Sequence, residues 1–123
     1  MSDDASTLVL LGRLLLGGLF LVAGIRHFWL VEPLSAIMAQ RGIPAPRLAV
    51  IGGSIWEGVF GALLMLGIAV PISAFALMAF TVAASLIFLN FWSMEGQQRE
   101  VAMNGALTNI AVVGGLLIAA AVG

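Results

Sequence analysis

Leu48-Ala49-Val50-Ile51-Gly52-Gly53-Ser54-Ile55-Trp56-Glu57-Gly58-Val59-Phe60-Gly61-Ala62-Leu63-Leu64-Met65-Leu66-Gly67 decides the fold. The stretch is apolar and Gly-rich, and it has about the 20 residues that a helix needs to cross a ~30 Å hydrocarbon core. Near its middle stands Glu57, the only acidic residue between Arg47 and Glu95. A charged side chain at that depth costs roughly 2.5–3.5 kcal/mol on insertion scales, so it needs a partner.

The rest of the chain has the same character. Of its 123 residues, 62% are hydrophobic and 9% charged, and the mean hydropathy is +1.15. A soluble domain carries about 25% charged residues. Three further apolar runs complete a single domain over residues 1–123, giving spans at 7–30, 48–67, 72–92 and 101–122. Leu66-Gly67-Ile68-Ala69-Val70-Pro71 is the one place to turn between the second and third spans, so these two are antiparallel neighbours. The runs are continuously apolar and do not alternate, which favours helices over a barrel. The expected fold is all-α, a polytopic membrane four-helix bundle. The acidic start Met1-Ser2-Asp3-Asp4 lacks the positive region of a cleaved signal, so the first span is read as retained.

Several chemistries are excluded. Net charge is −1, which gives no basis for nucleic-acid binding. Cysteine is absent, which removes disulfides and thiolate metal sites from this chain. With one histidine, one copy cannot build a multi-histidine metal or haem site.

Two polar segments, 31–47 and 93–100, fall on the same side of a four-span bundle. In the first, Glu32-Pro33 starts a short helix, Leu34, Ile37 and Met38 share a face, and Gly42 stops it. An interfacial helix between the first two spans is expected. Arg26, Arg41, Arg47 and Arg99 flank these segments, so the positive-inside rule places them in the cytoplasm and both termini outside. Phe28-Trp29 and Phe91-Trp92 mark the same boundary. The expected location is a bacterial inner membrane.

The polar residues inside the spans are the candidate site. Arg13 lies about 9 Å into the first span and Glu57 about 15 Å from the same surface, a gap that an Arg side chain can close. Arg13 shares a face with Gly17 and Gly24, and Glu57 shares one with Gly53 and Gly61. Small residues let membrane helices approach closely. An Arg13–Glu57 ion pair is therefore expected, either as a device that sets helix register or, with Asn109 on the fourth span, as a polar centre for an amphiphile such as a quinone head group. At the loop-side end, Arg26 and His27 are read as interfacial residues or as a polar mouth with Asn90, Trp92 and Glu95. His27 is the one side chain there suited to carrying a proton near neutrality.

These residues occur in a familiar order. Gly12-Arg13-Leu14-Leu15-Leu16-Gly17, Gly24 before a basic residue, Arg41-Gly42-Ile43-Pro44-Ala45-Pro46, Trp56-Glu57, Asn90-Phe91-Trp92 with Glu95-Gly96, and Asn109 before Gly114-Gly115-Leu116 together resemble the DoxX family of small bacterial membrane proteins. The chain departs from that pattern at Leu89 and near Asn104-Gly105, where the family often has histidine. The resemblance implies a four-helix membrane bundle associated with quinone-linked or redox-stress complexes.

The function expected is thus an accessory or anchor subunit of a membrane redox complex, without catalysis of its own, with redox-complex subunits or further copies of itself as partners. Quinone near Glu57 is the candidate cofactor. A transporter of small solutes, lipids or protons, or an assembly factor with no ligand, is the alternative.

Overall fold

A computed structural model describes residues 3–123; Met1 and Ser2 of the acidic start lie outside the described residues. The chain forms α1 (Asp3–Trp29), α2 (Val31–Gln40), α3 (Pro46–Leu66), α4 (Val70–Phe88), a short 3-10 turn (Phe91–Ser93) and α5 (Gly96–Val122). Four of these helices, α1, α3, α4 and α5, are long and apolar enough to cross a membrane. The protein is an all-α polytopic bundle with the short helix α2 between its first two spans.

Helix ends follow local chemistry. Asp3 and Asp4 lie in the first turn of α1, and Arg26 and His27 lie in its last, each complementing the helix dipole. Pro46 and Pro71 lie at the first positions of α3 and α4, where the missing N–H costs nothing. Gly67 ends α3 with φ 73°, a left-handed conformation in which glycine is free of Cβ strain. Alanine takes similar angles at Ala45 (φ 47°) and Ala69 (φ 46°), just before α3 and α4. The third apolar span, Val70–Ser93, takes in the expected 72–92, but not all of it is α-helix. It stops as a helix at Phe88, where Arg41 Nη1 reaches across from the end of α2 and donates to Ile87 O at 2.6 Å and to Asn90 Oδ1. A charged donor on those groups replaces the hydrogen bonds of a further helical turn.

The helices form a ring in the order α1, α3, α4, α5. Glycine sets the α1–α3 seam. A Cβ on Gly17 would stand 2.5 Å from Gly61 O, and one on Gly24 would stand 2.8 Å from Ser54 O. Real Cβ atoms do not approach backbone that closely, so the seam requires glycine. With little hydrophobic drive between helices in lipid, such backbone proximity supplies packing energy. The terminus-side half of the bundle is solid. Leu64, Ala74, Leu77 and Leu116 have no exposed surface there, and Phe20 and Ala119 close the cluster. A second, smaller cluster of Val31, Met38 and Val50 seats α2 on α3. Large apolar residues such as Leu15, Val22, Ile72 and Ile118 face outward along the spans, as lipid contact requires.

Candidate functional site

Glu57 is 1% exposed, and its partner is His27, whose Nδ1 lies 2.7 Å from Glu57 Oε2. This corrects the expected pairing with Arg13. Helix direction explains the outcome. Side chains lean toward the N-terminus of their own helix. α1 starts on the terminus side, so His27 leans inward from its loop-side end. α3 starts on the loop side, so Glu57 leans outward to meet it. Arg13 leans away from both.

The antiparallel register that joins Gly17 to Gly61 and Gly24 to Gly58 sets Arg13 against the end of α3 instead. Its guanidinium nitrogen Nη1 lies 3.0 Å from the place where Gly67 would carry a Cβ. A cation there complements the negative end of the α3 dipole, and glycine leaves room for it. Arg13 Nε is buried without a hydrogen-bond partner. Arg13 thus belongs to the helix end and not to the polar centre.

The His27–Glu57 pair borders a cavity of about 610 Å³ on the loop side of the solid half. Every helix contributes a wall. Leu19, Phe20 and Ala23 come from α1, Leu34 and Met38 from α2, Val50 and Gly53 from α3, Phe80 and Ile87 from α4, and Val112 from α5. Its polar lining is His27, Ser54, Glu57, Thr81 and Asn109. Ser54 Oγ donates to Val50 O at 2.8 Å, and Thr81 Oγ1 donates to Leu77 O at 2.8 Å. Asn109 Nδ2 donates to Ser85 Oγ at 2.9 Å, while Ser85 Oγ donates to Thr81 O at 2.7 Å, a chain that ties α5 to α4. Glu57 and Asn109 therefore both line one cavity, together with His27 and without Arg13.

α2 covers the cavity at its loop-side end. α1 and α5 touch where Leu16 packs on Gly115. Beyond that point they face each other across the cavity through Ala23 and Asn109, with Leu19 52% exposed at the edge.

The expected polar mouth is not gathered in one place. His27 has turned inward to Glu57, and Asn90 is taken by Arg41. Arg26, Trp92 and Glu95 are exposed, and among the described residues no hydrogen bond or ion pair joins them. Arg47 pairs with Glu32 on the surface, and Arg99 lies over the Phe91 ring at 5.7 Å. Arg41, Ser54 and Thr81 were not among the candidate residues. Back-bonded hydroxyls give no sequence pattern, but Arg41 stands just after the short helix and was legible as a charge able to reach another span.

Compared with known families, residues 8–90 match the DoxX family profile. The chain belongs to the DoxX family. The matched segment takes in α1 through α4, and so holds His27, Glu57, Ser54 and Thr81; Asn109 lies beyond it. Searches of curated proteins and of solved structures return no match. This DoxX chain is thus an integral membrane protein in which His27, Ser54, Glu57, Thr81 and Asn109 line one cavity.

Proposed function

We propose that this protein is a non-catalytic accessory or anchor subunit of a quinone-linked redox complex in a bacterial inner membrane, and that its cavity holds the head group of a lipid-borne amphiphile of the quinone class. The observation that carries the reading is the 610 Å³ cavity with apolar walls and, on its edge, the buried Glu57 carboxylate paired with a half-buried His27. Small-molecule sites are commonly apolar clefts of about 300–1,000 Å³ with a few placed polar groups, and they form between the helices of bundles. An ion pair used only to hold helix register would be better packed over than left beside open space. The redox setting rests on the family and on the quinone-linked complexes with which such proteins associate. Both termini lie outside the cytoplasm in this reading, with α2 and the α4–α5 connection inside, because Arg26, Arg41, Arg47 and Arg99 lie at that end.

The test is organic extraction of the protein purified in mild detergent, followed by mass spectrometry, for wild type and Glu57→Gln. The expected result is a quinone-class molecule bound to the wild type and depleted in the variant, which keeps the shape of the site. A wild-type protein that carries no lipid-borne aromatic molecule and takes none up from quinone-loaded vesicles would remove the ligand reading and leave the anchor role.

A further inference from the structure

The hydrogen-bond arrangement around the cavity has a polarity of its own. Ser54 and Thr81 each spend their hydroxyl proton on a carbonyl of their own helix, Val50 O and Leu77 O. What they can offer a ligand is lone pairs. Glu57 Oε2 is taken by His27, and Oε1 has no protein partner among the described residues. An ionised carboxyl oxygen only accepts. Asn109 gives one N–H to Ser85, and because Ser85 uses its own proton on Thr81 O, its oxygen must accept that bond. This orients the amide, leaving Asn109 Oδ1 and a single N–H for other partners. His27 Nε2 accepts when the ring is neutral with its proton on Nδ1, and it donates as imidazolium or as the other neutral tautomer. In each of these states the open acceptors (Ser54 Oγ, Thr81 Oγ1, Glu57 Oε1, Asn109 Oδ1) outnumber the open donors.

We infer that the cavity selects head groups that bring hydrogen-bond donors, and so takes the dihydroxy, reduced form of an aromatic amphiphile in preference to its dicarbonyl, oxidised form. This deepens the ligand reading above and rests on it. A dicarbonyl head would face lone pairs with lone pairs and would leave its oxygens unsatisfied in an apolar wall, which is the costly outcome for a buried polar group. A hydroxyl head satisfies both sides. The pair of His27 and Glu57 can carry one positive and one negative charge, so an uncharged ligand adds no net charge at that depth. No electron transfer is involved: the site discriminates between two forms that other proteins interconvert.

The experiment uses the full chain in phospholipid nanodiscs and three compounds of similar size: 2-methyl-1-naphthol, its methyl ether, and menadione. Binding is read as the excess of each compound retained over empty discs, with concentration expressed per lipid so that partitioning cancels. The naphthol cannot be confused with a redox partner under inert gas, and its ether differs only by the lost donor. The expected result is naphthol bound roughly three- to tenfold more tightly than either the ether or menadione, the scale of one net hydrogen bond. The double variant Ser54→Ala, Thr81→Val should lose that preference while retaining the fold, because the hydroxyls bond only within their own helices. Glu57→Gln, which replaces an acceptor by an amide N–H beside the cavity, should narrow that preference by weakening naphthol binding more than menadione binding. Equal or tighter binding of the ether or of menadione by the wild type overturns the donor inference and leaves the ligand site standing. Retention of none of the three removes the ligand site itself, and the inference with it.

Discussion

The two halves of this bundle are built from the same four helices and differ in what fills them. On the terminus side, Leu64, Ala74, Leu77 and Leu116 close the interior completely. On the loop side the interior holds about 610 Å³ of space bordered by a histidine, a carboxylate, two hydroxyls and an amide. The solid half is closed by Leu64, Leu77 and Leu116 packed over Ala74, while the α1–α3 glycine seam runs through both halves. The hollow half begins where α1 and α5 part beyond Leu16 and Gly115, and it needs a fifth helix, α2, to cover it. Packing and polar function are thus segregated along the membrane normal, and each can be perturbed separately.

The largest effect is expected at the seam. A methyl at Gly24 would stand 2.8 Å from Ser54 O and 2.9 Å from Gly58 N, rigid backbone that cannot move aside. Gly24→Ala should cost about 3 kcal/mol or more, the upper end for overpacking. Gly114, where a Cβ would meet nothing within 4 Å, is the control, and Gly114→Ala should be neutral or stabilising by up to ~1 kcal/mol. Denaturation in mixed micelles reads both. Equal effects would mean that the seam is not in glycine contact.

Next comes the pair that borders the hollow. His27→Ala strands a buried carboxylate and should cost about 3 kcal/mol, while the double variant with Glu57→Leu recovers most of that loss. Arg13→Leu combined with Glu57→Leu should be additive within ~0.5 kcal/mol, as for residues without a shared partner. Strong coupling between Arg13 and Glu57 would restore the pairing read from depth.

A smaller change is expected from the cover. Arg41→Met removes the charged donor from Ile87 O and Asn90, worth about 1.5 kcal/mol, and hydrogen exchange should accelerate in α2 and at the end of α4 while the terminus-side half stays protected. Uniform acceleration would mean that the halves are not independent. Least of all, Glu32→Gln at the exposed pair with Arg47 should shift stability by no more than ~0.5 kcal/mol and vanish in high salt.

The contrast between the halves was only partly visible in the sequence. Apolar run length placed four spans, Glu32-Pro33 and Gly42 bracketed the short helix, and the spacing of Gly17, Gly24 and Gly61 marked the seam, because these signals are local. The candidate site depended on something non-local. Counting depth from a surface put Arg13 and Glu57 within reach of an Arg side chain but ignored the opposite lean of side chains on antiparallel helices. That lean carries His27 inward and Arg13 toward Gly67. The stop of α4 at Phe88, inside the third apolar span, is non-local too: Arg41 comes from the end of α2, and no local signal at Phe88 announces it.

The Arg41 contact has a further consequence. α2 is held at its start by the turn in which Leu30 N–H meets His27 O, and at its far end by Arg41 on Ile87 and Asn90. A cover fastened at both ends does not swing. Exchange with the aqueous phase through that face requires breaking charge-assisted bonds, whereas the edge at Leu19 faces hydrocarbon and asks only for side-chain motion. That difference would set how fast a compound dissolved in the bilayer enters, while its occupancy at equilibrium stays with affinity and concentration. Two molecules with the same head and different tails, offered at one dissolved concentration, should then enter at rates in proportion to their partition coefficients.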